Sequence, residues 1–400
     1  MESIVIREAN VNDIPSVVDF YMRLDNPGQK DWIEIMMDGR HPYINASNFI
    51  IAEDAGKIAA SVVYMPWDYS YGGLKIKAVR LEEVFCEPEY QNRGLVRGIL
   101  QRIADISTEK GYLFECVYGT NAVYNHLGYT YGLPNEMEGY SFIINDETTG
   151  NDFTITEADD SEIPAIAKLY ETNYTRNLLT TYINCKEIYY TKNVYVEGKY
   201  YVIKSSAGEI CGFFHTQIDE KYLFMMELDN TVSYHQIRPY LVSFYRQRGF
   251  GNIQVNLGVT HPIYMVFRGY HHKKLLSELG FVKVRDIPRF FMGVSGVLEN
   301  RLARSPYSHY SGAFTIAMHN RDEAYRMEWN DGKLATVTPV KKEHGEIDIE
   351  RNRFIRLLFG RISPEDMTKE FSMYYFQNND LRNLFEILFP IMQSHVVSIN

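Results

Sequence analysis

Only 4 cysteines occur in 400 residues, and Cys86, Cys116, Cys185 and Cys211 lie far apart with no Cys-x-x-Cys pair. That spacing excludes a disulfide framework and a zinc cage, so the cysteines read as buried thiols. A long apolar run is also missing, since nothing approaches the roughly 20 apolar residues of a membrane span. The opening Met1-Glu2-Ser3-Ile4-Val5-Ile6-Arg7-Glu8 has neither the basic start nor the apolar stretch of a secretory signal. The chain therefore reads as a soluble, cytoplasmic protein without a membrane span. Positive charge is in deficit, with 41 Lys and Arg against 51 Asp and Glu and a formal net charge of −10. This argues against nucleic acid as a partner and favours cationic ones. His271-His272-Lys273-Lys274 has no carboxylate or cysteine at ligand spacing, so no metal is expected.

What is present is a substantial core, 45% apolar residues, and a length that suggests two or three domains. An internal repeat organises the first three hundred residues. Ile4 to Pro15 and Phe153 to Pro164 align without a gap, about 150 residues apart, each a short alternating strand and then a capped helix start with an acid just before Ile-Pro. Gly56-Lys57-Ile58 and Gly208-Glu209-Ile210 read as matching hairpin turns. Leu127-Gly128-Tyr129 and Leu279-Gly280-Phe281 read as matching helix ends with glycine at the stop. A period of this length means duplicated domains, because solenoid units recur every 20–50 residues.

The most informative segment is residues 81–98, a buried strand, an exit marked by Pro88, and a basic turn with Gly94 that opens into a helix. Free N–H groups at a helix start carry partial positive charge, and a glycine beside them lets a phosphate approach the backbone. A diphosphate cradle is therefore expected. It is not a Walker loop, which ends in Gly-Lys-Ser/Thr, nor a dinucleotide loop of Gly-x-Gly-x-x-Gly form. Gln91-Asn92-Arg93-Gly94-Leu95-Val96 resembles the Gln/Arg-x-x-Gly-x-Gly/Ala signature of the GNAT acyltransferases, with Val96 departing at the last place. The form Arg-Gly-Leu-Val-Arg is similar to that of the enhanced intracellular survival (Eis) branch of that superfamily.

The resemblance implies acetyl-CoA as co-substrate. Val84, Phe85 and Cys86 would pair with its pantetheine arm as an added strand, and Asn92, Arg93, Gly94, Leu95, Val96 and Arg97 would hold the diphosphate. It also places Gly119 and Thr120 near the cofactor. The second copy has Thr231 to Leu241 in place of the glycine turn, with Pro239 lacking an N–H, so only the first copy is expected to bind. From about residue 300 the pattern changes to strands around Phe314–Met318 and Leu334–Val337 and then helices, with Ser363-Pro364-Glu365-Asp366 as a capped helix start. This tail resembles the sterol-carrier-like domain that ends Eis-type chains. The implied architecture is α/β (α+β): a GNAT domain over 1–150, a degenerate GNAT-like domain over 151–298 and a sterol-carrier-like domain over 299–400. Relatives of this architecture assemble into rings, which implies a homo-oligomer, a hexamer in that family.

Acetyl transfer to an amine needs a donor for the developing oxyanion, a proton for the leaving thiolate and a base for the amine. A strand N–H at Cys86 suits the first. Tyr124 is the candidate acid, because Thr120 to Tyr129 resembles the motif in which GNAT enzymes carry a tyrosine five residues before Gly-Tyr/Phe. For the base, the resemblance points to the chain-terminal carboxylate, here Asn400, although the ending Ser394 to Asn400 lacks the family's aromatic finish. Glu82 competes. By strand alternation residues 80, 82, 84 and 86 share one face and 81, 83 and 85 the other, so only one of Glu82 and Glu83 can face the site. The reading is an N-acetyltransferase acting on a primary amine, an aminoglycoside, polyamine or lysine side chain, by direct transfer through a ternary complex. The alternative is a non-catalytic acyl-CoA sensor or lipid-binding protein.

Overall fold

In the computed structural model, the two repeated segments are built by the same local device. Asn10 caps the first helical turn by accepting from the Asn12 N–H, and Asp13 reaches back to the Asn10 N–H at 2.8 Å. Asp159 and Glu162 repeat this reciprocal cap, with Ser161 N–H to Asp159 at 2.7 Å and Asp159 N–H to Glu162 at 3.0 Å. The structure describes residues 4–397 except 25–29, 120, 135–138, 146–148, 197, 218–219, 259, 276–278, 342–344 and 371–374.

The first half supplies β1 (Val5–Glu8), β2 (Phe49–Asp54), β3 (Lys57–Tyr71), β4 (Leu74–Cys86), β5 (Glu115–Gly119), β6 (Thr130–Leu133) and β7 (Gly139–Ile143). The second supplies β8 (Phe153–Glu157), β9 (Leu179–Thr181), β10 (Gly198–Ser205), β11 (Ile210–Gln217), β12 (Tyr222–Leu228), β13 (Asn252–Val255), β14 (His272–Leu275) and β15 (Leu279–Lys283). One sheet runs β1-β2-β3-β4-β5-β15-β6, with β9 on the far end of β3, and the other runs β8-β10-β11-β12-β13-β7-β14. The orders match place for place, except that β7 and β15 have changed sheets. Each half thus completes the other. The expected boundary at 150/151 separates strands that sit in each other's sheet, and that at 298/299 falls within the helix Ile287–Ala303.

The exchange explains one departure from the sequence reading. Gly128 does stop a helical turn, at φ 82. Leu279-Gly280-Phe281 instead opens β15, paired to Gly119, Tyr118 and Val117. Its apolar run, with Phe281 and Val282 both fully buried, suits a strand covered on both faces.

Three helices frame the first sheet: α1 (Ile14–Leu24), α2 (Lys30–Met37) and α3 (Leu95–Lys110). α3 buries Leu95, Ile99, Leu100, Ile103 and Ile106 on Val79, Leu81, Val117 and Val62. Truncating Ile99 or Ile103 to alanine there costs about 2–5 kcal/mol. α1 and α2 cover the other face through Val17, Phe20, Tyr21, Trp32 and Met36. Beyond them a continuous aromatic core joins the halves to the tail, with Tyr71 against Phe290 at 5.7 Å and Phe359 against Phe114 at 5.2 Å. The tail forms a third sheet from β16 (Gly312–Met318), β17 (Glu323–Asn330), β18 (Lys333–Val340), β19 (Ile347–Ile349) and β20 (Tyr375–Phe376). Ser363 caps the helix Pro364–Glu370 as its sequence indicates, accepting from the Asp366 N–H at 2.9 Å. Among the described residues no helix is long and apolar enough to cross a membrane.

Candidate active site

The site begins where two parallel strands part. β4 and β5 pair at Val79 with Glu115, Arg80 with Cys116 and Leu81 with Val117, and nowhere beyond. Both strands stay bonded on their outer sides, β4 to β3 as far as Cys86 and β5 to β15 as far as Gly119. The sheet therefore opens in its middle, the β5-facing edge of Val84–Cys86 pairing with no strand among the described residues.

A bulge shapes that edge. The β3–β4 register slips between Ser61 and Val63, and Glu83 takes φ 50. The Tyr21 hydroxyl, from α1, lies 3.0 Å from the Glu83 carbonyl and 2.8 Å from Ser61 Oγ, pinning the bulge. One extra residue reverses the alternation beyond it. Val84 and Cys86 consequently pack on the α3 side with Leu81, while Phe85 turns to the α1 side against Tyr21 at 5.7 Å. The expectation that 82, 84 and 86 share a face is corrected accordingly: Glu82 lies across the sheet from Val84. Tyr21 and the bulge carry no signal in the local sequence.

On the face away from α3, Glu82 is ion-paired to Arg80, whose guanidinium also lies 5.0 Å from the centre of the Tyr118 ring. Arg80 is buried. Tyr69 stands beside them, its hydroxyl 3.4 Å from Cys116 Sγ and its pKa pushed well above the phenol range by burial. The Cys86 thiol is likewise pushed up by burial.

The turn into α3 is exposed from Gln91 to Gly94. Asn92 and Gly94 take φ 61 and φ 80, and Gly94 is the N-cap, so the cap residue has no side chain to accept from the first helical N–H groups. Those of Gly94, Leu95, Val96 and Arg97 are the ones an α-helix leaves unbonded. The loop is braced from outside: Arg93 stacks on Tyr90 at 4.8 Å, and the Tyr90 hydroxyl donates to Asp54 at 2.8 Å. Gly98 lets α3 approach β1, since a Cβ there would stand 2.5 Å from Ile6 Cδ1.

Tyr124 is buried in the same apolar cluster as Leu81, Leu95 and Val117, with Val84 and Cys86 packed against it. Gly119 makes room for it. At φ 149 a Cβ on Gly119 would come within 2.6 Å of the Tyr124 ring. The structure thus brings Val84, Cys86, Gly94, Leu95, Val96, Gly119 and Tyr124 around one wedge, and puts Phe85 and Glu82 on its other side. Thr120 and Asn400 lie outside the described residues. Val397 is held by Thr181, its N–H to Thr181 Oγ1 at 2.9 Å.

The corresponding place in the second sheet is closed. β12 and β13 pair at Tyr222 with Gln254 and Leu223 with Val255, then part. His261 Nε2 bonds the Met226 carbonyl at 2.9 Å while its Nδ1 accepts from the Ile263 N–H, so the ring is neutral with its proton on Nε2. Burial and the Arg176 charge hold it so, well below the usual imidazole pKa. The Tyr264 hydroxyl donates to Val255 O at 2.9 Å. Arg176 forks onto the buried Glu227 at 2.6 and 2.7 Å. The following helix, Tyr234–Gln247, starts with a complete Ser233–Gln236 capping box. Pro239 lies well inside that helix. The cap at Ser233, not the missing N–H of Pro239, separates the two helix starts.

A parallel pair that opens into a wedge, a bulge on its edge and an uncapped glycine-started helix are the parts of a GNAT fold. Residues 6–132 match the family described as acetyltransferase (GNAT) domain. No curated protein matches. Among solved structures the chain is similar over nearly its whole length to a GCN5-related N-acetyltransferase from Anabaena variabilis (11% identity, 98% of this chain and 99% of that one, TM-score 0.74). It is similar to one from Kribbella flavida (13% identity, 99% and 98%, TM-score 0.70). It is also similar to Eis1 from Mycobacterium abscessus (11% identity, 97% and 98%, TM-score 0.65). At such identities the likeness is one of fold.

Proposed function

We propose that the chain is an N-acetyltransferase that moves the acetyl group of acetyl-CoA to a primary amine in the wedge of the first sheet. The observation that carries this is the contrast between two equivalent helix starts. One is self-capped beside a plugged opening, and the other is uncapped at Gly94 beside an open one. Bare N–H groups of a helix start suit a diphosphate, and the unpaired edge around Val84–Cys86 suits the amides of a pantetheine arm. Acetyl-CoA, when bound, supplies the acetyl group as an activated thioester.

The protein's part is to hold and to move protons. The N–H groups of Gly94 to Arg97, with Arg93 and Arg97 outside them, bind the diphosphate, and a strand N–H at Cys86 meets the developing oxyanion. Tyr124 gives its hydroxyl proton to the leaving sulfur. Two groups remain proposals for the base, Glu82 and the terminal carboxylate of Asn400. Glu82 is held by Arg80 in an ion pair. The acceptor would lie on the Arg80, Glu82 and Tyr118 face.

The test is thiol release from acetyl-CoA across aminoglycosides, polyamines and lysine peptides, for wild type and Tyr124→Phe. An amine-dependent rate that falls about 10²–10⁴-fold in the variant, with acetyl-CoA affinity kept, is expected. Binding of acetyl-CoA with equally negligible turnover in both proteins would instead fit a sensor. Removing residues 398–400 without loss of rate would discard the terminal carboxylate.

A further inference from the structure

Tyr124 is held by both halves of the chain. Its ring packs edge-on to Tyr129 at 6.0 Å and lies over Phe281 at 5.8 Å and 35°. Phe281 belongs to β15, the strand that enters the first sheet from the second half, and is fully buried. Two residues further on the same strand is Lys283. Its Nζ donates to the Leu127 carbonyl at 2.7 Å and stands 5.1 Å from the centre of the Tyr129 ring. Leu127 ends the helical turn that carries Tyr124, and the Tyr129 N–H bonds back to the Tyr124 carbonyl at 3.1 Å.

Lysine normally keeps its ammonium in water, and this one is turned inward. Burial, reinforced by Arg285, Arg351 and Arg321 and opposed by Glu115, pushes its pKa down to about 8. Arg285 is itself engaged by Glu115, its Nη2 3.0 Å from Oε2. What the half-buried ammonium gains is a carbonyl at the end of a turn, where partial negative charge collects and a cation is favoured. The sequence of β15 thus places an aromatic ring under the Tyr124 ring and a donor on the end of its turn.

We propose that Phe281 and Lys283 are positioning residues that fix Tyr124 for proton donation to the leaving sulfur, so that the second half of the chain completes the active site of the first. This rests on Tyr124 being the acid. In the step concerned, the amine nitrogen bonds the acetyl carbon and the carbon–sulfur bond breaks. The sulfur takes the Tyr124 proton, the amine gives up its own proton to the base, and the phenolate regains one from solvent. Phe281 stops the ring from tilting and Lys283 stops the turn from unwinding. A displacement of about 1 Å in such a group costs about 10²-fold in rate.

The experiment measures kcat and KM for Lys283→Met, Lys283→Arg and Phe281→Leu in the full chain, each in the wild-type and Tyr124→Phe backgrounds. Expected are a roughly tenfold or greater loss of kcat for Lys283→Met and Phe281→Leu with acetyl-CoA KM changed less than about twofold, substantial recovery in Lys283→Arg, and no further loss from either change when Tyr124 is already Phe. A structural role alone would give losses that add to that of Tyr124→Phe. Additive losses, or full kcat in Lys283→Met beside an inactive Tyr124→Phe, overturn the proposal. Full turnover in Tyr124→Phe overturns it by another route, because the assignment of the acid then fails first. Should Lys283→Met not fold, the smaller Phe281→Leu change gives the same comparison.

Discussion

Gly94 adopts φ 80, and no heavy atom lies within 4 Å of the place a Cβ would take. The conformation, not crowding within the protein, demands glycine there. A valine at positive φ costs about 1–3 kcal/mol of strain, which the exposed turn would shed by refolding its N–H groups away from the ligand. Gly94→Val should therefore weaken acetyl-CoA binding by about tenfold or more with little change in Tm. Isothermal titration checks this, and an unaltered Kd would remove the diphosphate from this turn. His215 makes a prediction of a different sort. It is buried, stacked on Tyr200 at 4.2 Å, and neither ring nitrogen has a hydrogen-bond partner among the described residues. Burial pushes its pKa down to about 3. Because the unfolded chain takes up a proton near the ordinary histidine value of about 6.5 and the folded one does not, stability is full above that value and falls as pH drops from it towards 3. The loss is on the order of 3 kcal/mol by pH 4. His215→Phe should flatten the fall in Tm between pH 6.5 and 4 while leaving Tm at pH 8 unchanged or higher; an identical pH profile in both proteins would show that His215 does not titrate on unfolding.

Helix starts and strand edges decide which half of the chain can work. Ser233 supplies a cap that α3 lacks, and replacing an N-cap serine by alanine costs about 1 kcal/mol. Ser233→Ala should thus lower stability by about that amount in urea unfolding and leave acetyl-CoA binding unchanged. Altered binding would give the second helix start a role that its plugged opening argues against. Much at this scale was legible in sequence, because caps and glycine turns are local: Asn10 with Asp13, Asp159 with Glu162, Gly94 before α3 and Ser363 before its helix all stand where their residues put them. The bulge at Glu83 was not legible. Nothing in Leu81-Glu82-Glu83-Val84-Phe85 marks a positive φ, which is set by the slip against β3 and by the distant Tyr21 hydroxyl. The faces of Glu82 and Val84 were for that reason misread. Leu279-Gly280-Phe281 was misread for a related reason, since a glycine after leucine fits a helix stop as well as a strand, and only partners from β5 and β6 settle it.

The exchange of β7 and β15 makes the halves mutually dependent, and the residues show why neither strand can simply stay at home. In the first sheet the slot between β5 and β6 is covered on both sides: Phe281 faces the α3 cluster with Tyr124, and Val282 faces the aromatic core shared with the tail. A strand seated there needs apolar residues on both faces. β7 offers Gly-Tyr-Ser-Phe-Ile, in which Ser141 would be buried in the place of one of them, whereas in the second sheet its hydroxyl meets Asn252 at 2.6 Å. A fragment of residues 1–150 therefore has two poor choices. It can leave the β5 edge open, an invitation to aggregate, or fill it with β7 and set a buried hydroxyl where an apolar side chain stands. The second choice costs about 1–3 kcal/mol for the unpaired hydroxyl, on top of the lost Phe281 and Lys283 contacts to the Tyr124 turn. The fragment is expected to be insoluble, or to melt without cooperativity and bind acetyl-CoA at least roughly tenfold more weakly than the full chain. Co-expression with residues 151–400 should restore both solubility and binding, because the exchanged strands can then be supplied between two chains. A monomeric 1–150 fragment with a sharp thermal transition and full acetyl-CoA affinity would show that the slot tolerates β7 and that the second half is not needed to build the wedge.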